Sequence, residues 1–164
     1  MPTDWRSEAR ALALQCLTQL DVQGDAFLGE VPAFIAESNA SSNIKTLASD
    51  LAHGAWKCRQ ISDDRIAQTV KHWQLHRIAL VDRAILRLAV AELLERPEVP
   101  VKVILDQAIE LAKRFSTAES PKFINGVLDA IVKVLPQRAA WASEARRETS
   151  PDEPAPSETQ EGNP

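Results

Sequence analysis

The chain has 164 residues, 45% apolar and 26% charged, which suits one soluble globular unit, and its five glycines and absent tyrosines argue against an all-β fold. The net charge of −4 speaks against a nucleic-acid binder, but five of the acids (Glu148, Asp152, Glu153, Glu158 and Glu161) lie beyond Arg147 with no basic residue among them. Without them 19 basic side chains face 18 acidic ones, so residues 1–147 carry about +1 and any RNA or DNA site has to be a local patch.

Trp5, Ala9, Leu12, Cys16 and Leu20 recur at spacings of four and three, the mark of an amphipathic first helix, with Gly24-Asp25 as its stop. A second helix is expected from about Pro32 to Glu37, and "ESNASSN" after it reads as a loop. A long helical region then opens near Ile44 with Leu47, Leu51, Ala55, Cys58 and Ile61 on one face. Ser62-Asp63-Asp64 is a good N-cap cluster at which it would restart, and Ile66, Val70 and Trp73 continue the pattern. The next helix carries Ile78, Val81, Ile85, Leu88 and Ala89, and Leu86, Val90, Leu93 and Leu94 spread its apolar surface over most of the circumference. Such a helix belongs at the centre of a fold. Pro97 ends it, and Pro100 opens a helix striped by Val101, Ile104, Leu105, Ala108, Leu111, Ala112 and Phe115, with Glu110 and Arg114 as a favourable pair.

Ser120-Pro121 is the expected N-cap and first position of the last helix, whose apolar side is Phe123, Ile124, Val127, Leu128, Ile131 and Leu135. Asn125 and Gly126 are poor helix formers inside it; Gly126 is expected to let another helix approach closely. Pro136 stops the helix, and residues 137–164, acidic and proline-rich, are expected to be a mostly disordered tail after a helical domain of residues 1–136. No strand pattern competes, so the expected fold is all-α, a compact bundle of six or seven helices.

Little in the chain points to chemistry. Cys16 and Cys58 form no CxxC pair and read as buried free thiols in a reducing cytosol. No signal peptide is expected, since Asp4 and Glu8 stand where a basic start and an apolar run would be needed. The most apolar stretch, Ile78 to Leu94, is broken by Asp82, Arg83, Arg87 and Glu92 and cannot span a membrane. His72 and His76 have the spacing of two zinc ligands, but Trp73 stands where a zinc hydrolase needs its glutamate, so a helical metal hydrolase is the weakest of the rival readings. What remains is a set of polar residues on packed helices: Arg6, Arg10 and Gln15 on the first, Lys122, Asn125 and Asp129 on the last. Phe123 and Ile124 cannot point the same way, and an exposed Phe123 beside Lys122 and Asn125 would be a platform for an unpaired base. The alternative is a solvated face with Phe123 turned into the core.

Three stretches carry a resemblance. "ARALALQCL" (Ala9 to Leu17), "VDRAILRLAVAELLERPEVPVKVILDQAIELAKRFS" (Val81 to Ser116) and "SPKFINGVLDAI" (Ser120 to Ile131) resemble the bacterial antitermination factors of the NusB family, with "AIELAK" and the "FINGVLD" segment as the specific pair. The resemblance implies two three-helix halves packed together and no catalysis; no cofactor or metal is expected. It implies binding of boxA-type single-stranded RNA from ribosomal RNA operons, together with the small-subunit ribosomal protein NusE, and loading onto RNA polymerase to suppress premature termination in the cytoplasm. Carried over by position, it places Arg6, Arg10, Gln15, Lys122, Phe123 and Asn125 at RNA and Asp82 at the protein partner. Two departures weaken the RNA side. "MPTDWRSEAR" offsets two arginines with two acids where many relatives have a dense arginine cluster, and Thr18 replaces an aromatic. A helical scaffold that keeps the partner and has lost RNA is the rival reading.

Overall fold

A computed structural model describes residues 4–70 and 75–135 of the chain. These form seven α-helices, α1 (Trp5–Gln23), α2 (Val31–Ala36), α3 (Ser42–Lys57), α4 (Arg59–Thr69), α5 (Leu80–Glu95), α6 (Val101–Phe115) and α7 (Ser120–Lys133). Two short 3-10 helices, Gly24–Glu30 and Leu75–Arg77, join them, and no strand occurs among the described residues. The expectation of a tail falls on residues outside the described ones.

Asp4 caps α1 by accepting a hydrogen bond from the Arg6 backbone N–H. Gly24 ends it at φ 70°, a backbone conformation that a side chain resists, while its N–H bonds to the Leu20 carbonyl. The helix packs along α3, with α2 across the pair, to make one half; α5, α6 and α7 make the other, and α4 lies against α5 and α7. The apolar surface of α5 behaves as its sequence requires, for every residue from Ala84 to Leu93 is buried and the helix touches α1, α3, α4, α6 and α7. Ile85, Leu86, Leu88, Ile104, Ile124, Leu128 and Ile131 fill the centre.

Four local expectations need correction. The long helical region breaks at Cys58, not at Ser62. Ser62 is buried inside α4, and Asp63 is drawn onto Arg87 instead of capping a helix, so a tertiary ion pair outweighs a local capping preference. The earlier break also turns Ile61 out to solvent at 53% exposure. At the start of α7, the Ser120 hydroxyl bonds to Asp82 at 3.0 Å and so faces inward, away from a capping role. Arg114 pairs with Glu8 at 3.1 Å, leaving Glu110 to Lys113 at 3.4 Å. Finally, Gly126 is exposed and a Cβ there would meet nothing within 4 Å, so no helix approaches it. The close approach belongs to Gly54 on α3, where a Cβ would stand 3.0 Å from the Glu95 carboxylate at the end of α5.

Candidate nucleic-acid interface

The last helix presents Lys122, Asn125 and Gly126 to solvent while Ile124, Val127 and Leu128 point into the core. Phe123 takes neither extreme. It packs on the edge of the core, partly buried, and also walls an open groove between α4 and α7 lined by Thr69, Val70, Lys122, Gly126 and Val127. The missing side chain at Gly126 keeps that groove open beside the ring, which accounts for a glycine on a helix that needs none for packing. Lys122 and the half-buried Phe123 thus meet at this groove, which Glu119 also lines, while Asn125 is exposed on the other side of Lys122; an aromatic ring, an ammonium and a carboxamide are groups able to stack a base, neutralise a phosphate and bond a base edge.

On α1 the expected residues separate. Arg6 and Gln15 are exposed. The Arg6 guanidinium lies 4.5 Å from the centroid of the Trp5 ring, with only a loose 3.9 Å contact to the exposed Asp4 carboxylate. Arg10 is not a surface cation. It is 4% exposed and grips Glu92 of α5 through Nε at 3.0 and 3.2 Å and through Nη2 at 2.8 Å. A guanidinium stripped of water needs such a fork of charge-assisted bonds. Asp82, expected on the partner surface, is likewise internal at 8% exposure. Its carboxylate accepts from the Ser116 hydroxyl at 2.6 Å and from the Ser120 hydroxyl at 3.0 Å, which fixes the turn between α6 and α7.

A second ionic group ties α1, α4 and α5 together. Asp21 near the end of α1 accepts from Arg83 and, at 2.9 Å, from Arg87 of α5; Arg87 also grips Asp63 of α4 with two bonds of 2.7 Å. Burial alone would lower the Arg87 pKa, but the hydrogen bonds and charges of Asp63 and Asp21 outweigh it and hold the group above its ordinary value. Arg83 and Arg87, four apart on the central helix, were the signal for this network. Several arginines that a charge count offers to RNA are therefore spent inside the protein. His76 is exposed, whereas His72 lies outside the described residues; among those residues no group of three or more His, Cys, Asp or Glu side chains could hold a metal ion.

Comparison with known proteins agrees with this architecture. The description "NusB family" matches residues 7–133. The transcription antitermination protein NusB of Symbiobacterium thermophilum is 40% identical over 148 residues, covering 85% of this chain and 96% of that protein. That of Geotalea uraniireducens is 41% identical over 145 residues, covering 81% and 97%. Among solved structures, T. maritima NusB superposes with a TM-score of 0.69 at 34% identity, covering 82% of this chain and 94% of that one. A structure described as antitermination factors NusB and NusE in complex with dsRNA gives 0.70 at 28% identity, covering 80% and 98%. With the matched segment running from the first turn of α1 to the last residue of α7, the chain belongs to the NusB family.

Proposed function

We propose that this chain is a non-enzymatic transcription antitermination factor that binds boxA-type single-stranded RNA of ribosomal RNA operons. It does so jointly with a ribosomal protein equivalent to NusE, as part of an antitermination complex on RNA polymerase. The observation that supports this best is the likeness, across nearly the whole of both folds, to a NusB described in complex with NusE and dsRNA. Arg6 and Lys122 supply phosphate contacts, Phe123 a stacking face, and Gln15 and Asn125 amide contacts. Arg10 acts from beneath the surface, by holding α1 to α5, and Asp82 acts by setting the α6–α7 turn rather than by touching the partner. A cytoplasmic site of action fits this role, and none of the described helices is long and apolar enough to cross a membrane.

The test is a titration of fluorescent boxA RNA with and without the ribosomal partner. Phe123→Ala should weaken binding about 5- to 140-fold at every salt concentration, since a base–aromatic stack is worth roughly 1–3 kcal/mol. A wild-type chain that captures the partner but no RNA would instead mark a scaffold that has lost the nucleic acid.

A further inference from the structure

The open groove between α4 and α7 has a volume of about 560 Å³. Val70, Phe123, Val127 and Ala130 give it an apolar floor, and Gly126 adds no side chain to fill it. Such a floor left in water favours an apolar occupant. Among the described residues that line it, the charged ones, Glu119 and Lys122, both stand exposed at the start of α7. The end near Ala130 carries no charge, so the groove is apolar at one end and ionic at the other.

The chain itself supplies an occupant with that pattern. Residues 136–164 lie outside the described ones, and Trp141 is the one large apolar side chain in their sequence. Leu135, the last described residue, is buried, so Trp141 is tethered six residues from a fixed point just past α7. Six extended residues reach about 20 Å. Gly126 lies seven residues before the end of α7, about 10 Å back along the helix. A segment running back along α7 therefore brings Trp141 to the groove with length to spare. The charges that follow fall in matching order: Glu144, three residues on, comes level with Lys122, and Arg146 and Arg147 continue toward Glu119. Beyond them stand five acids and no basic residue. A short tether also holds this occupant at an effective concentration of about millimolar before any other ligand arrives.

We infer that the segment after Leu135 folds back along α7 and seats Trp141 in the α4–α7 groove, where it shields Phe123 and Lys122 and has to be displaced by RNA. The contact is autoinhibitory. The indole takes the wall that a base would stack on, and the acids set negative charge where a phosphate would come. A chain closed for about nine-tenths of the time binds RNA about tenfold more weakly than an open one, because only the open fraction is competent. The effect on RNA rests on the proposal that the chain binds boxA RNA; the docking of Trp141 does not.

The test uses the full chain labelled with fluorotryptophan and read by fluorine NMR, the Trp141 resonance being assigned by its loss in Trp141→Phe. Trp141 should resonate away from its position in a synthetic peptide of residues 136–150. Gly126→Leu, which fills the groove, should move it to the peptide position, and thermal melting should show that variant folded. Titrated with fluorescent boxA RNA in the presence of the ribosomal partner, Trp141→Ala should bind about 3- to 30-fold more tightly than wild type. A wild-type Trp141 resonance at the peptide position overturns the docking. A displaced resonance that appears only at high protein concentration means that the groove takes the tail of a second copy, and overturns it as well. A docked Trp141 whose replacement by alanine leaves RNA affinity unchanged overturns the autoinhibition. A docked Trp141 in a chain that binds no RNA, with or without that side chain, refutes the RNA reading and supports the docking.

Discussion

Replacing Arg87 by methionine should be among the most damaging single changes that leave the apolar core intact. Arg87 joins three helices. Its guanidinium bonds to Asp63 of α4 twice at 2.7 Å and to Asp21 of α1 at 2.9 Å, with the side chain 10% exposed. Methionine keeps most of the stem volume and packing, so the loss is chiefly electrostatic. Removing one member of a fully buried pair costs about 3–5 kcal/mol, because a charge is left in a poor solvent. Two facts reduce this. Asp63 keeps 16% of its surface in water, and Asp21 retains Arg83. The expected loss is about 2–4 kcal/mol, against a typical total of about 5–15 kcal/mol for a domain. Urea unfolding followed by far-ultraviolet circular dichroism would measure it as a shift in midpoint at constant slope. The double variant Arg87→Met with Asp63→Leu should recover more than half of the loss, since the stranded carboxylate goes with it. A single-variant loss below about 1 kcal/mol, or a double variant no better than the single, would refute the claim that this network is desolvated and ties α4 to α5.

Arg10→Ala should lower stability by about 2–4 kcal/mol and leave the salt dependence of RNA binding alone, while Arg6→Ala should make the log–log salt slope shallower by about 0.7; thermal melts and RNA titrations separate the two. Gly126→Ala should stabilise by up to about 1 kcal/mol in urea unfolding, because the added methyl meets nothing and only the helix propensity changes. Burial pushes the Cys16 thiol up to about 11, and burial with the hydrogen bond to Glu95 does the same for Cys58. Both should therefore react slowly with a thiol reagent at pH 8 in the native chain and quickly in denaturant. Since the folded state holds these protons more tightly than the unfolded one, stability should fall as pH rises from about 9 to about 11, as pH-jump denaturation would show.

The helices were legible in the sequence because burial imprints a period: Ile104, Ala108, Leu111 and Ala112 mark the core side of α6, and the nearly continuous apolar surface of α5 marks it as central. Proline and glycine punctuation marked the end of α1, the start of α2, the α5–α6 connection and both ends of α7, since their backbone limits act within a residue or two. The exposed part of the candidate site on α7 was equally legible, because Lys122 and Asn125 sit off the apolar stripe formed by Ile124, Val127 and Leu128. What the sequence could not decide was which charges face water. Arg6 and Arg10 stand one turn apart on the same helix, yet one is exposed and the other locked onto Glu92, 82 positions away. Asp63 looked like a cap until Arg87 claimed it, and Asp82 looked like a surface acid until Ser116 and Ser120 closed on it. Gly126 and Gly54 differ in the same way, one open and one crowded by Glu95. Periodicity records how much of a helix is covered, whereas the partner of a buried charge is set by how helices distant in sequence cross, and only the tertiary structure fixes that.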